Sequence, residues 1–232
     1  MFHVRLAGVC IQVENCFDAV QKQYSAFLCP QEDAPAFCVS ASEAECRAES
    51  IVPAYGETIS LCRKISAGLL TQDVLLLHAA AIDMAGEGYL FAGRSGIGKT
   101  THIRLWQQAF GDGVRVINGD KPLLRFEADQ LMVYGSPWRG KEQLGCKAKA
   151  PVKALCFLEQ AKENRLVRIT PEQAMERLFH QVLMPQRADG MEKLLALVER
   201  ILMNAPCYVL HCRPDEQAAR IAWEGLKEAS GC

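Results

Sequence analysis

The chain has 232 residues, half of them hydrophobic, which is enough for one large domain or a main domain with a small appendage, and its composition is not that of a disordered segment. A formal net charge of −1 gives no basic footprint for nucleic acid, and no apolar run reaches the roughly 18 residues needed to span a bilayer. The opening MFHVRLAGVCIQVENC is broken by His, Arg, Gln and Glu, unlike a secretory signal, so a soluble cytoplasmic protein is expected.

In chain order, HVRLAGVCIQV reads as one or two strands and AFCVS as another, separated by the polar, proline-bearing CPQEDAPA. Residues 1–73 hold five Lys/Arg against nine Asp/Glu, so this part is mildly acidic and the remainder mildly basic. GETISLCRKISAGLL places Ile59, Cys62, Ile65 and Leu69 at helical spacing. From residue 74 the pattern changes. VLLLHAAAIDM, a turn at AGEG and YLFAG read as strands leading to the octet GRSGIGKT at 93–100, with THIRLWQQAF as the helix after it. VRVINGD is a short buried strand ending in an acid; PLLRF and LMVYG flank EADQ as a hairpin; VKALCFLEQ and LVRI are further strands. Thr170, Pro171 and Gln173 spell a capped helix start, with Met175, Leu178, Phe179 and Val182 as its apolar stripe. A second helix carries Leu194, Leu195, Val198 and Ile201, then come strand CYVLHC and a closing helix from Pro214. Strands mixed with helices in this way predict an α/β fold with a mixed sheet.

Eleven cysteines invite a metal or disulfide reading, but no two form the C-x-x-C pair usual for zinc, and four of the five histidines, His3, His102, His180 and His211, show no ligand spacing. Cys156 and Cys207 lie in apolar runs, where a free thiol acts as a small core hydrophobe. The cysteine-rich stretch 10–46 leaves room for a partner or redox surface.

The octet fits G-x-x-x-x-G-K-[ST]. Gly93 and Gly98 allow tight backbone and close phosphate approach, and the amides from Arg94 through Ser95, Gly96 and Ile97 form an anion nest. Lys99 supplies a point charge for the β- and γ-phosphates. Thr100, with Thr101 beside it at the helix start, offers a hydroxyl to Mg²⁺ where the helix dipole is positive. Such a loop needs a second acid for the metal, and Asp120 closes VRVINGD about 20 residues downstream. Arg139 and Lys141 sit on the Gly/Pro-bounded loop GSPWRGK, where a cation reaches a transferring phosphate or Trp138 simply anchors a turn. Asp83 and Glu87 read as hairpin surface.

The stretch HAAAIDMAGEGYLFAGRSGIGKTT resembles the catalytic domain of the HPr serine kinase/phosphorylase family, with its histidine before a hairpin, G-x-G turn and G-x-S-G-x-G-K-[ST] loop. The likeness continues in VINGDKPLLRF, VYGSPWRGKEQLG and VKALCFLEQ, covers about residues 74–160, and lies nearest the shorter HPr-kinase-like proteins, some of them associated with peptide-modification clusters. The wider superfamily includes ATP-dependent phosphoenolpyruvate carboxykinase. The resemblance implies a P-loop core of that type over 74–232, and the strand and helix patterns before it read as a small N-terminal β-containing layer over 1–73. It implies a role for His78, which matches a family histidine, and a homo-oligomer, since many relatives assemble. One departure stands out. Of the family's two acids in this segment, the first falls on Gly119 and only Asp120 remains, which argues against phosphorolysis.

The expected activity is an ATP- and Mg²⁺-dependent phosphotransferase with Lys99, Asp120 and Arg139 as catalytic residues, and Thr100 and Asp120 at the metal. Its acceptor is a hydroxyl of a protein, a peptide or a small molecule, and neither nucleic acid nor membrane is an expected partner. The rivals are a nucleotide-binding module or NTPase without transfer and, ranked lower, a carboxykinase-like enzyme.

Overall fold

A computed structural model of the chain describes residues 1–31 and 33–228; Cys232 and part of the polar stretch before AFCVS lie outside them. The first 73 residues build a three-stranded sheet with three helices. β1 (Phe2–Leu6) and β2 (Val9–Glu14) form a hairpin through Ala7 and Gly8, both at positive φ, the combination a two-residue turn needs to follow strand twist. β3 (Phe37–Ser40) adds parallel to β2. Between them run α1 (Asp18–Gln23) and a single 3₁₀ turn, Ser25–Phe27. α2 (Glu43–Glu49) starts from a Ser42–Glu45 capping box, and α3 (Pro53–Thr71) starts from a proline, three residues earlier than its periodicity alone indicates.

Glu57 of α3 is fully buried. Its carboxylate accepts from the backbone amides of Cys16 at 2.5 Å and Phe17 at 3.0 Å, pinning the entry to α1. Nothing in the periodicity marks this residue, because its partners lie 41 and 40 positions away. Glu57→Ala leaves two donors with no acceptor inside the layer and is expected to cost about 3 kcal/mol in a denaturant titration. A loss below about 0.5 kcal/mol would mean water replaces the carboxylate freely.

The second sheet has nine strands: β4 (Val74–Leu76), β5 (Ala79–Met84), β6 (Glu87–Ala92), β7 (Val114–Asn118), β8 (Leu123–Glu127), β9 (Gln130–Tyr134), β10 (Lys149–Gln160), β11 (Arg165–Ile169) and β12 (Cys207–Cys212). The order β4-β8-β9-β10-β6-β5-β7 mixes both directions: β10 runs parallel to β6 and β12 but antiparallel to β9, and β11 closes on β12. The fold is α/β with a mixed sheet. VLLLHAAAIDM is not one strand. It breaks at Leu77 and His78, so β4 pairs with β8 and β5 with β6 and β7.

Helices cover both faces. α5 (Pro171–Phe179) and α6 (Ala188–Asn204) pack one face with Leu178, Leu194, Val198 and Ile201; α4 (Lys99–Phe110) and α7 (Glu216–Lys227) pack the other. Thr170 and Gln173 form the capping box at the head of α5. Val182 lies beyond the end of α5, in a bridge to Leu77. Leu195 is 45% exposed and Leu197 takes the inward place instead, because 3.6-residue periodicity turns position 195 outward. The closing helix begins at Glu216 with Asp215 as its cap, since Pro214 precedes the turn. Asp83, read as surface, is buried: it binds Arg115 and accepts from Gly86 N at 3.0 Å, fixing the β5–β6 turn.

The two sheets share a core. Val74, Leu76, Leu123 and Trp138 join the hydrophobic cluster of the N-terminal layer, and Tyr24 meets Trp138 edge-on at 5.9 Å. Gln23 Nε2 also donates to Pro137 O at 3.3 Å, so the loop after β9 is held from both sides.

Candidate functional site

β6 runs up the middle of the sheet and ends at Ala92, and the chain turns through 93–98 into α4. The helix is held hard against β6 by Trp106, fully buried among Tyr89, Phe91, Phe110 and Trp223. His102 sits under it, buried; burial drives its pKa down to about 3, so it is a neutral ring that accepts from Trp106 Nε1 at 2.9 Å. It has a packing role.

Gly96 and Gly98 adopt φ of +80° and +113°, and a Cβ at either would meet nothing within 4 Å. Backbone handedness, rather than crowding, is what requires glycine there. The turn closes with Ile97 N on Arg94 O at 3.2 Å. Lys99 folds back over it, its ammonium donating to Gly93 O at 2.8 Å. Burial lowers the Lys99 pKa, Asp120 raises it and Lys121 lowers it, the net effect being downward. The first amides of α4 have no partner inside the helix.

Across from the loop, β7 ends in Asn118, whose side chain organises the next turn. Its Oδ1 accepts from Asp120 N at 2.9 Å and Lys121 N at 2.7 Å, while its Nδ2 donates to Ser136 Oγ at 3.0 Å. Asp120 is thereby presented with His78 Nε2 at 3.3 Å from one oxygen and Lys121 Nζ at 2.5 Å from the other. Burial pushes the Asp120 carboxyl up, but hydrogen bonds and charge from His78 and Lys121 outweigh it and hold the pKa down at about 2. It is an ionised carboxylate at neutral pH.

These elements enclose a cleft of about 1010 Å³. Ser95, Gly96, Gly98, Lys99, Thr100 and Thr101 line it from the loop side, and His78, Asp120 and Arg139 face them. Gly93, Arg94 and Ile97 do not reach the cleft and serve as backbone frame and packing. Arg139 Nη1 donates to Gly145 O at 3.2 Å, which curls the loop after β9 over the cleft, while Arg104 and Glu142 tie that loop to α4 at 2.6 Å. Six Lys/Arg against two acids line the space, so the concavity is electropositive around one carboxylate. Such a surface suits a polyanion.

Sequence reasoning missed three parts of this site. Lys121 and the Asn118–Ser136 bracket belong to no catalytic pattern. Tyr55, Thr58, Ile59, Cys62 and Arg63 of α3, with Gln23 of α1, form one cleft wall, whereas the sequence motifs point only to residues beyond 73. Only the three-dimensional fold brings them there. A second depression, of about 660 Å³ between β11 and the end of α6, contains none of the candidate residues.

Gly119 stands next to Asp120 with φ outside the left-handed range, so its backbone would accept any residue. Space is the obstacle. A Cβ there would lie 3.1 Å from Leu144 Cβ, 3.2 Å from Leu144 O and 3.3 Å from Arg139 O, and Gly119 N already donates to Leu144 O at 2.9 Å. Gly119→Asp is therefore expected to push the 139–145 loop outward at a cost of about 1–3 kcal/mol. An unchanged thermal midpoint would show that the loop yields without resistance.

No protein-family model matches the sequence, and no curated protein matches it. Among solved structures the chain is similar to the Hpr(Ser) kinase/phosphatase from Coxiella burnetii, at 10% identity and a TM-score of 0.38, over 65% of this chain and 95% of that one. A likeness this slight is no argument for a shared activity. No helix among the described residues is long and apolar enough to cross a membrane.

Proposed function

We propose that the chain is an ATP- and Mg²⁺-dependent kinase of the P-loop type, transferring phosphate to a hydroxyl acceptor. The observation that carries this reading is the opposition, across one electropositive cleft, of a left-handed glycine turn capped by Lys99 and an ionised Asp120. Amides at the head of α4 and the Lys99 ammonium are the donors a triphosphate requires. The Thr100 hydroxyl and the Asp120 carboxylate are hard oxygen ligands, the kind Mg²⁺ takes together with phosphate oxygens and waters, so the residues present fit that ion. When bound, Mg²⁺ supplies charge neutralisation on the phosphates. Lys99 orients them, Arg139 stands at the rim for a transferring group, and Asp120 with His78 beside it is placed to accept an acceptor proton.

Incubation with ATP, Mg²⁺ and candidate hydroxyl acceptors, followed by mass spectrometry, tests the proposal. An acceptor carrying one added phosphoryl group supports it. Brisk acceptor-free hydrolysis would favour an NTPase switch, whereas nucleotide binding without turnover would favour a regulatory module, the second reading, which draws support from the crowding at position 119.

A further inference from the structure

The N-terminal layer brings together three side chains that the sequence keeps apart. Cys10 lies on β2, directly across from Arg5 of β1. Cys29 and Asp33 lie in the segment between the 3₁₀ turn and β3, which is tied to the sheet by Cys29 N to His3 O at 3.1 Å and Ala36 N to Cys10 O at 2.8 Å. The Cys10 and Cys29 sulfurs are 3.7 Å apart, and both lie within 4.8 Å of an Asp33 carboxylate oxygen and of each other. No other three His, Cys, Asp or Glu among the described residues meet that spacing.

Two thiolates bound at about 2.3 Å to one tetrahedral ion stand roughly 3.8 Å apart. The sulfurs are thus already at ligand-to-ligand separation, whereas a disulfide would require them to close to about 2.05 Å. Cys10 is buried and the other two groups are half-buried, so one side of the cluster opens to solvent. Arg5 binds the Asp33 carboxylate and donates to Gly8 O at 3.1 Å, the kind of outer partner that orients a ligating carboxylate. Charge closes as well. Two thiolates and one carboxylate beside one guanidinium leave two negative charges, which a divalent ion cancels.

We propose that Cys10, Cys29 and Asp33 form a site for a thiophilic divalent cation of the zinc type, stapling Cys29 and Asp33 to β2 and leaving a fourth position open to water. Thiolate ligands separate this site from the cleft, whose oxygen donors suit Mg²⁺. Binding exchanges two S–H protons for two metal–sulfur bonds, while the carboxylate enters already ionised, so two protons leave per ion.

The test titrates the full chain, stripped with a chelator, with Co²⁺ as a spectroscopic substitute for Zn²⁺. Wild type is expected to bind one equivalent with a sulfur-to-metal charge-transfer band, release about two protons, and surrender the band to Zn²⁺. Cys10→Ser and Cys29→Ser should each weaken binding at least tenfold, and Cys38→Ser on the same sheet should not. Absence of the band in wild type, or its survival in both serine variants, overturns the site. Should either variant fail to fold, alkylation of the wild-type protein decides: Zn²⁺ should protect Cys29 from iodoacetamide, and an unprotected Cys29 overturns the proposal.

Discussion

Asp120→Asn is expected to leave nucleotide bound and to lower phosphoryl transfer by two or more orders of magnitude. The substitution keeps the size of the side chain and its backbone bracket, because Asn118 Oδ1 grips the 120 and 121 amides whatever the side chain. It removes the charge that Mg²⁺ and the acceptor proton both need. An amide also cannot accept from His78 on one side and Lys121 on the other as a carboxylate does. A second readout is independent of activity. The folded-state pKa of about 2 lies below the ordinary 3.8, so in metal-free protein the pairing contributes stability at pH above about 4 and loses it as pH falls through 2. The difference amounts to about 2 kcal/mol, and the gap between wild type and Asp120→Asn should close over that window. Full transfer activity in the variant would move the catalytic carboxylate elsewhere.

Lys99→Ala should weaken ATP binding at least tenfold, about 1.4 kcal/mol, with the circular dichroism spectrum unchanged. Among the described residues the ammonium is the one cation bonded into the glycine turn itself, and its hydrogen bond to Gly93 O already sets its direction. The fold should survive, because Trp106 and its aromatic neighbours hold α4 without help from residue 99. Losing a partly desolvated charge also offsets part of the lost bond. Unaltered affinity, measured by calorimetry on a folded variant, would end the phosphate-loop assignment and the kinase reading with it. The zinc-type site would be untouched by that result, since it shares no residue with the cleft.

What the sequence made legible follows physical range. The glycine turn and the strand and helix around it could be read because handedness, charge and dipole must all occur within eight residues. Asp120 was legible because a strand end places its next residues at a sheet edge. The break at His78 was not, since an unbroken apolar run gives no sign that β4 and β5 choose different neighbours. Nor were Tyr55, Thr58 and Ile59 as cleft wall: the spacing of Ile59, Cys62, Ile65 and Leu69 announces a buried stripe on α3 and is silent about its flank. Leu195 and Leu197 make the same point in reverse, two residues apart in a helix whose rotation only packing fixes. Cys10 and Cys29 carry no short spacing at all, and a hairpin plus a returning loop is what makes them neighbours.

β10 has a consequence for how the cleft comes into being. The β5–β6 and β8–β9 hairpins are local and can zip as soon as they leave the ribosome. β6 has β10 as its other neighbour, joining Tyr89 to Ala154 and Ala92 to Phe157 across a long stretch of chain. Gly93 itself lies against Leu158 O, the next position along that strand. The glycine turn is therefore expected to reach its final setting only after residues near 158 have been made and paired. A nascent chain stopped before β10 carries the whole octet and still lacks the pocket it belongs to. Acquisition of the cleft is a late event in folding, governed by the slowest and least local pairing in the sheet.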